Sequence, residues 1–404
     1  MKKFVCLMMA MVMVVACLAG CGNSGGSSGS ASGSGAASGS GAASSGSSSG
    51  AAFKLGGTGP LTGGAAIYGI AARNGAQIAV DEINAMGGIQ FELKYEDDAH
   101  DAEKAVNAYN ALKGWGMQLS LGSVTSKPAE ATSAKNFEDR IFALTPSASS
   151  VATTEGKDNV FQMCFTDPGQ GAKSAEYIAS KDLGTKIAVI WKNDDVYSKG
   201  LYDTFTAAAK DLNLEIVSDT TFNDGNATDF SVQLSDAQSK GADLVFLPMY
   251  YDVAALIFNQ ANSMGYAPKW FGVDGMDGIL SVEGFDTSLA EGVMLLTPFA
   301  ADSSDARTQA FTAKYQEQFN EIPNQFAADA YDCVYAYKQA LEAAGCTPDM
   351  SNEELCSAMM EQFASMTFVG LTSDESGMTW EASGAVSKSP KGMVIQNGSY
   401  VGLD

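Results

Sequence analysis

Two loops gather hydroxyls of the kind that hold anions: Gly122-Ser123-Val124-Thr125-Ser126 and Thr145-Pro146-Ser147-Ala148-Ser149, each following an apolar run of strand length. A third rim segment, Tyr250-Tyr251-Asp252, follows Val245-Phe246-Leu247 and adds aromatic rings. Hydroxyls and backbone N–H groups at helix starts offer donors to an anion, and the helix dipole favours negative charge there. Each serine taken alone reads equally as an ordinary N-cap. Asp274, in Gly272-Val273-Asp274-Gly275, follows another strand-length run and by itself reads as a solvated turn aspartate.

The chemistry of an enzyme is hard to assemble from the rest of the chain. His100 is the single histidine, set in the polar stretch Asp98-Ala99-His100-Asp101, and reads as a surface or cap residue. Asp97 and Asp98 are consecutive in an extended segment and so point to opposite faces, which keeps them from acting as an acid–base pair. Neither a phosphate-cradling G-x-x-x-x-G-K-[ST] nor a G-x-G-x-x-G after a strand occurs. Matches to G-x-S-x-G at 22–26, 25–29 and 46–50 lie in a Gly/Ser/Ala tract, not between a strand and a helix, and make no nucleophile elbow. No catalytic residue, cofactor or metal is expected.

The elements that must position these loops alternate between strand and helix. Apolar runs at 187–191, 243–247 and 270–273 have strand length, and residues 65–86 place Ile67, Ile70, Ala71, Ile78 and Ile83 near helical spacing before Gly87-Gly88 stops the helix. An α/β chain with mostly parallel sheets follows. About 350 residues exceed what one hydrophobic core usually organises, so two lobes are expected. Ligands of open parallel sheets bind beyond the carboxyl ends of the strands, where the hydroxyl and aromatic loops sit.

The amino-terminal region reads differently. Lys2 and Lys3 precede an apolar run through Ala19, the pattern of an export signal over residues 1–20. Leu18-Ala19-Gly20-Cys21 resembles the lipobox of bacterial lipoproteins, which implies a diacylated Cys21 and stable anchoring to a membrane. Up to residue 50 the chain is Gly, Ser and Ala apart from Asn23, a flexible tether with a reach of roughly 30 Å. Forty-seven acidic residues against 24 basic ones give a net charge of -23, which argues against nucleic-acid binding and for solubility. Cys346 and Cys356 flank a short turn between two helical patterns and are candidates for a disulfide in an oxidising compartment; Cys164 and Cys333 read as buried small apolar residues.

An ordered series of motifs carries a family likeness over nearly the whole body. It runs from Gly59-Pro60-Leu61-Thr62-Gly63 with Tyr68-Gly69, through Asp81-Glu82-Ile83-Asn84-Ala85-Met86-Gly87-Gly88-Ile89 and Tyr95-Glu96-Asp97-Asp98. It continues through Phe165-Thr166-Asp167-Pro168 with Gln170-Gly171, Tyr197-Ser198-Lys199-Gly200 and Thr228-Asp229-Phe230, to Phe368-Val369-Gly370-Leu371-Thr372 and Trp380-Glu381. The series resembles the type I periplasmic solute-binding proteins of ABC importers, in particular the branched-chain amino acid branch.

The resemblance implies two doubly wound lobes on a three-stranded hinge, with residues 51–166 and 299–386 in lobe 1 and 167–298 and 387–404 in lobe 2. It implies that Ser126 and Ser149 receive an amino acid carboxylate, with Ala148 also among the ligand-binding residues. Asp274, the Ser147 carbonyl and Asp167 would take the ammonium, and Tyr68, Tyr197, Tyr250 and Phe326 would line the side-chain pocket. His100 and Thr125 stand where some members carry a disulfide, and Asp274 has a shorter arm than a glutamate. The partners implied are a membrane permease and its cytoplasmic ATPases, with the protein a monomer on the outer face of the cell membrane. An amide, an aromatic acid, or a sensory role beside a membrane receptor are the alternatives for the same cleft.

Overall fold

The computed structural model describes residues 51–403. The expected export signal, the lipidated Cys21 and the tether lie outside the described residues. The first half of the chain gives β1 (Phe53–Gly59), α1 (Ala66–Met86), β2 (Phe91–Asp97), α2 (Ala102–Trp115), β3 (Leu119–Leu121), α3 (Ser126–Asp139), β4 (Phe142–Thr145) and β5 (Val160–Gln162). Next come α4 (Asp167–Ser180), β6 (Lys186–Lys192), α5 (Val196–Asp211), β7 (Glu215–Phe222), α6 (Ser231–Ser239), β8 (Leu244–Leu247), α7 (Tyr251–Ser263), β9 (Lys269–Gly272) and β10 (Met294–Thr297). The chain ends with α8 (Ala306–Phe319), α9 (Gln325–Ala344), α10 (Asn352–Phe363), β11 (Lys391–Gln396) and β12 (Ser399–Gly402).

These strands form two sheets. The first is wholly parallel, in the order β2-β1-β3-β4-β5. The second, β12-β11-β10-β9-β8-β6-β7, is parallel except where β11 runs against both of its neighbours. Ile187, Ala188, Val189 and Ile190 of β6 are all inaccessible to solvent, as a central parallel strand covered by helices on both faces must be. β2 at the first sheet's edge instead carries Glu92, Lys94 and Glu96 on one face, which blunts that edge against pairing with another chain.

Helices α1, α9 and α10 pack with the first sheet and α4 and α5 with the second. The chain therefore passes between the two layers three times, after β5, after β10 and before β11. α1 can lie close against α9 because residue 75 is glycine: a Cβ there would stand 2.0 Å from the Ala327 carbonyl oxygen. That approach brings Tyr68, near the start of α1, to Phe326 on α9, with ring centroids 4.3 Å apart.

The thiols differ from the sequence expectation. Cys346 and Cys356 are free and buried, as are Cys164 and Cys333. Nearness across a turn does not set two Cβ atoms face to face. Cys346 follows the left-handed Gly345 that ends α9, while Cys356 lies within α10 and is turned toward Arg140 and Asn159.

Next to the last crossing, Lys388 is buried against α9. Its ammonium donates to Asp329 Oδ1 at 2.7 Å and to Thr372 Oγ1 at 2.6 Å, with side-chain exposures of 2% for the lysine and 1% for the aspartate. Asp332 beside it accepts from the N–H groups of Leu371 and Thr372 and from the Thr372 hydroxyl. Removing one partner of such a pair strands a charge, whereas removing both does not. Lys388→Met should lower urea-unfolding stability at pH 7.5 by about 3–5 kcal/mol, and Lys388→Met with Asp329→Leu should recover most of it. A lone Lys388→Met as stable as wild type would show that the pair holds nothing together.

Candidate ligand-binding cleft

The carboxyl ends of the strands in both sheets face a common cleft, and a small cavity lies where they meet. It is lined by Tyr68, Val124, Thr125, Ser126, Ser147, Tyr197, Tyr250, Asp274, Gly275 and Phe326. The structure thus brings together Tyr68, Ser126, Ser147, Tyr197, Tyr250, Asp274 and Phe326 of the expected residues. Ala148, Ser149 and Asp167 sit behind this surface and do not line it.

Asp274 is the most elaborately held. Its Oδ1 accepts from the Tyr197 hydroxyl at 2.5 Å, from Gln170 Nε2 at 2.9 Å and from the Gly275 N–H at 2.9 Å. Its own N–H donates to Gln170 Oε1, and its carbonyl accepts from Gln325 Nε2 of the first layer at 2.8 Å. Burial pushes the carboxyl pKa up, and the bonds from Tyr197 and Gln170 oppose that rise. A Cβ on residue 275 would stand 2.7 Å from the Tyr197 hydroxyl, so the glycine keeps that donor in place.

Asp167, the first residue of α4, is equally buried but unlike Asp274 lacks partners. It faces the Ser149 hydroxyl, yet neither its carboxylate oxygens nor Ser149 Oγ forms a hydrogen bond of ordinary geometry. Burial first, then repulsion from Asp274 and Asp195, pushes its pKa up. Neither Asp167 nor Asp274 is ion-paired among the described residues.

The carboxylate side of the cleft lies at the start of α3. Ser126 opens the helix, its hydroxyl accepting from the Ser150 N–H at 3.3 Å, and no side chain caps the first-turn amides. Ser147 Oγ donates to the Val124 carbonyl at 2.6 Å and Thr145 Oγ1 to the Ser123 carbonyl at 2.7 Å, tying the two hydroxyl loops together, while the Ala148 N–H donates to Thr145 Oγ1 at 3.1 Å within the second loop. On the aromatic side Tyr250 stacks on Tyr197 at 4.8 Å with the rings 5° from parallel. The Tyr68 hydroxyl donates to the Gly275 carbonyl and accepts from the Tyr251 N–H, crossing from one layer to the other.

A family profile described as periplasmic binding protein matches residues 52–383. The chain belongs to the periplasmic binding protein family. Family members bind solutes rather than catalyse reactions. A Leu/Ile/Val-binding protein homolog of Brucella melitensis is 30% identical over 74% of this chain and 81% of its own length. A leucine-, isoleucine-, valine-, threonine- and alanine-binding protein of Pseudomonas aeruginosa is 25% identical, covering 72% of this chain and 78% of the relative. Among solved structures, the branched-chain amino acid transporter substrate-binding protein LivJ of Streptococcus pneumoniae, in complex with isoleucine, superposes with a TM-score of 0.78. It is 29% identical and covers 87% of this chain and 98% of that one. This is the type I fold of the family, two mostly parallel sheets joined through a three-stranded hinge.

Sequence reasoning missed several participants of this periplasmic binding protein's cleft. Gln170 and Gln325 reach Asp274 from 104 and 51 residues away, a separation no local pattern reports. Gln170 sits one turn after Asp167 at a helix start, the one signal that could have singled it out. The reading of His100 as a surface or cap residue is corrected: its ring meets Tyr250 edge-on at 5.3 Å, and its Nδ1 lies 2.9 Å from Thr125 Oγ1.

The His100 turn rests on Asp98, whose Oδ1 accepts the His100 N–H at 2.9 Å and whose buried carboxyl is pushed up to about 7 by desolvation. The folded state holds this proton more tightly than the unfolded chain, so ionising Asp98 costs stability as pH rises from near 4 to about 7. Asp98→Asn keeps the acceptor without the charge. Its stability relative to wild type should improve by a few kcal/mol between pH 4.5 and pH 8 in urea unfolding. A constant difference between the two pH values would show that Asp98 does not titrate in this window.

Proposed function

We propose that the cleft captures an amino acid as its zwitterion and that the closed protein hands it to the permease of an ABC importer. The observation that carries this reading is a buried carboxylate, Asp274, that lines the cleft without a cation partner, with a second unpaired buried acid, Asp167, behind it. Desolvation, and the repulsion between the two acids, favour an ammonium in the cleft beside Asp274. The uncapped start of α3, with Ser126 and the Ser147–Ser149 loop, offers N–H and hydroxyl donors to the carboxylate of the same molecule. Ser149 and the Ala148 backbone support that loop from behind. Tyr68, Tyr197, Tyr250 and Phe326 surround the side chain. The binding of leucine, isoleucine and valine by relatives supports a ligand of this class.

In this reading residues 51–166 and 299–386 form one lobe and 167–298 and 387–404 the other, and the three crossings between the sheets let them part. The free space in the cavity is about 10 Å³, room for about one water molecule, so a solute enters an opened cleft and is enclosed as it shuts. Ligand shifts the population toward the shut form by bridging Ser126 on one lobe to Tyr197 and Asp274 on the other. The lipobox-like Leu18-Ala19-Gly20-Cys21 and the tether behind it support anchoring by lipid at the outer face of the cell membrane.

Thermal-shift screening of the purified protein against the common amino acids, amides and aromatic acids tests the reading: an α-amino acid should raise the melting temperature by mass action. With that amino acid in calorimetry, Asp274→Ala should weaken binding by about 3 kcal/mol and Ser126→Ala by about 1 kcal/mol. If no α-amino acid stabilises the protein, or Asp274→Ala binds as wild type does, the zwitterion reading fails.

A further inference from the structure

Tyr197 and Tyr250 stack as a pair, yet their hydroxyls fare differently. That of Tyr197 is used twice, donating to Asp274 and accepting from the Gly275 N–H. The hydroxyl of Tyr250 is buried and meets no partner among the described residues. A buried hydroxyl without a partner costs about 1–3 kcal/mol, and such groups in native structures ask for an explanation.

A second polar feature borders the same space. Thr125 occupies the N-cap position of α3, but its side chain makes no capping bond and lies instead 2.9 Å from His100 Nδ1. His100 is delivered there by a turn in which Ala99 and His100 both adopt left-handed backbone, with φ of 47° and 59°. Side-chain-bearing residues in that region cost on the order of 1–3 kcal/mol each. Asp97 Oδ1 fastens the turn by accepting the Ala99 N–H at 2.8 Å, and Asp98 Oδ1 by accepting the His100 N–H. Strain is thus accepted in order to set an imidazole against Thr125 and the edge of Tyr250. The neighbouring lining residues Tyr68, Val124 and Phe326 are apolar apart from the Tyr68 hydroxyl, which is already engaged.

We propose that Tyr250 and Thr125, with His100 positioning Thr125, make this cleft select a short amino acid bearing a side-chain hydroxyl, threonine being the type, over an aliphatic one of the same shape. The proposal rests on the amino acid reading above and narrows it. An aliphatic side chain leaves the Tyr250 hydroxyl stranded in the shut cleft, whereas a ligand hydroxyl beside it completes the bond. Sites built to hydrogen-bond a ligand hydroxyl discriminate against the analogue lacking it more sharply than apolar pockets discriminate by size.

Threonine and valine share a shape and separate the two cases. Calorimetry of the purified wild-type protein at pH 7.5 should show L-threonine binding at least tenfold tighter than L-valine. Tyr250→Phe should bring the two within about threefold, and Thr125→Val should lower the ratio, with melting temperatures reporting that each variant is folded. His100 acts through Thr125 and is read by the same ratio: His100→Gln, whose amide can still reach the Thr125 hydroxyl, should keep it and His100→Leu should lower it. Valine binding as tightly as threonine, a wild-type ratio in Tyr250→Phe, or binding confined to larger aliphatic amino acids would overturn the selection while leaving amino acid capture standing. Failure of every α-amino acid to bind would remove both.

Discussion

A buried carboxylate at the cleft, Asp274, is the constraint around which this molecule is arranged. Desolvation alone would drive Asp274 toward its neutral form. The phenol of Tyr197, the amide of Gln170 and the N–H of Gly275 converge on one oxygen and oppose that drift. Those donors come from α5, α4 and the turn after β9, and Gln325 fixes the same turn from the opposite layer. Asp167 has no such support, so the two acids differ sharply in how far the protein itself offsets their desolvation.

The same cleft also explains why the two layers meet where they do. Tyr68 to Gly275, Tyr251 to Gly64, and Gln325 to both Asp274 and Asp277 are direct bonds across the gap. These bonds join the two layers without a ligand; in the closure proposed above, a ligand would supply only the difference between two states. Lys388 is held by Asp329 and Thr372, so the segment that makes the last crossing is fixed to α9.

Much of this was legible in the sequence. Helical spacing over 65–86 and the apolar run of β6 produced their elements almost to the residue, because periodicity within a segment records which faces it will bury. Seven of the residues singled out from the sequence share one cavity, since each stands just after a strand or at a helix start. His100 was misread because its polar neighbours in the chain suggested solvent, while its partners Thr125 and Tyr250 are 25 and 150 residues away. The Cys346–Cys356 pairing went astray for the related reason that closeness along a turn says nothing of where two thiols point.

What the sequence by itself determined was the set of elements, their alternation, and a supply of hydroxyls, rings and acids at strand ends. These follow from local pattern and from steric rules that act over a few residues. Only the tertiary structure decided that Asp274 would be the held acid and Asp167 the unpartnered one, and that the hydroxyl of Tyr197 would be spent and that of Tyr250 left open. Desolvation and hydrogen-bond partnership are sums over segments far apart in the chain, and no stretch of residues carries them alone.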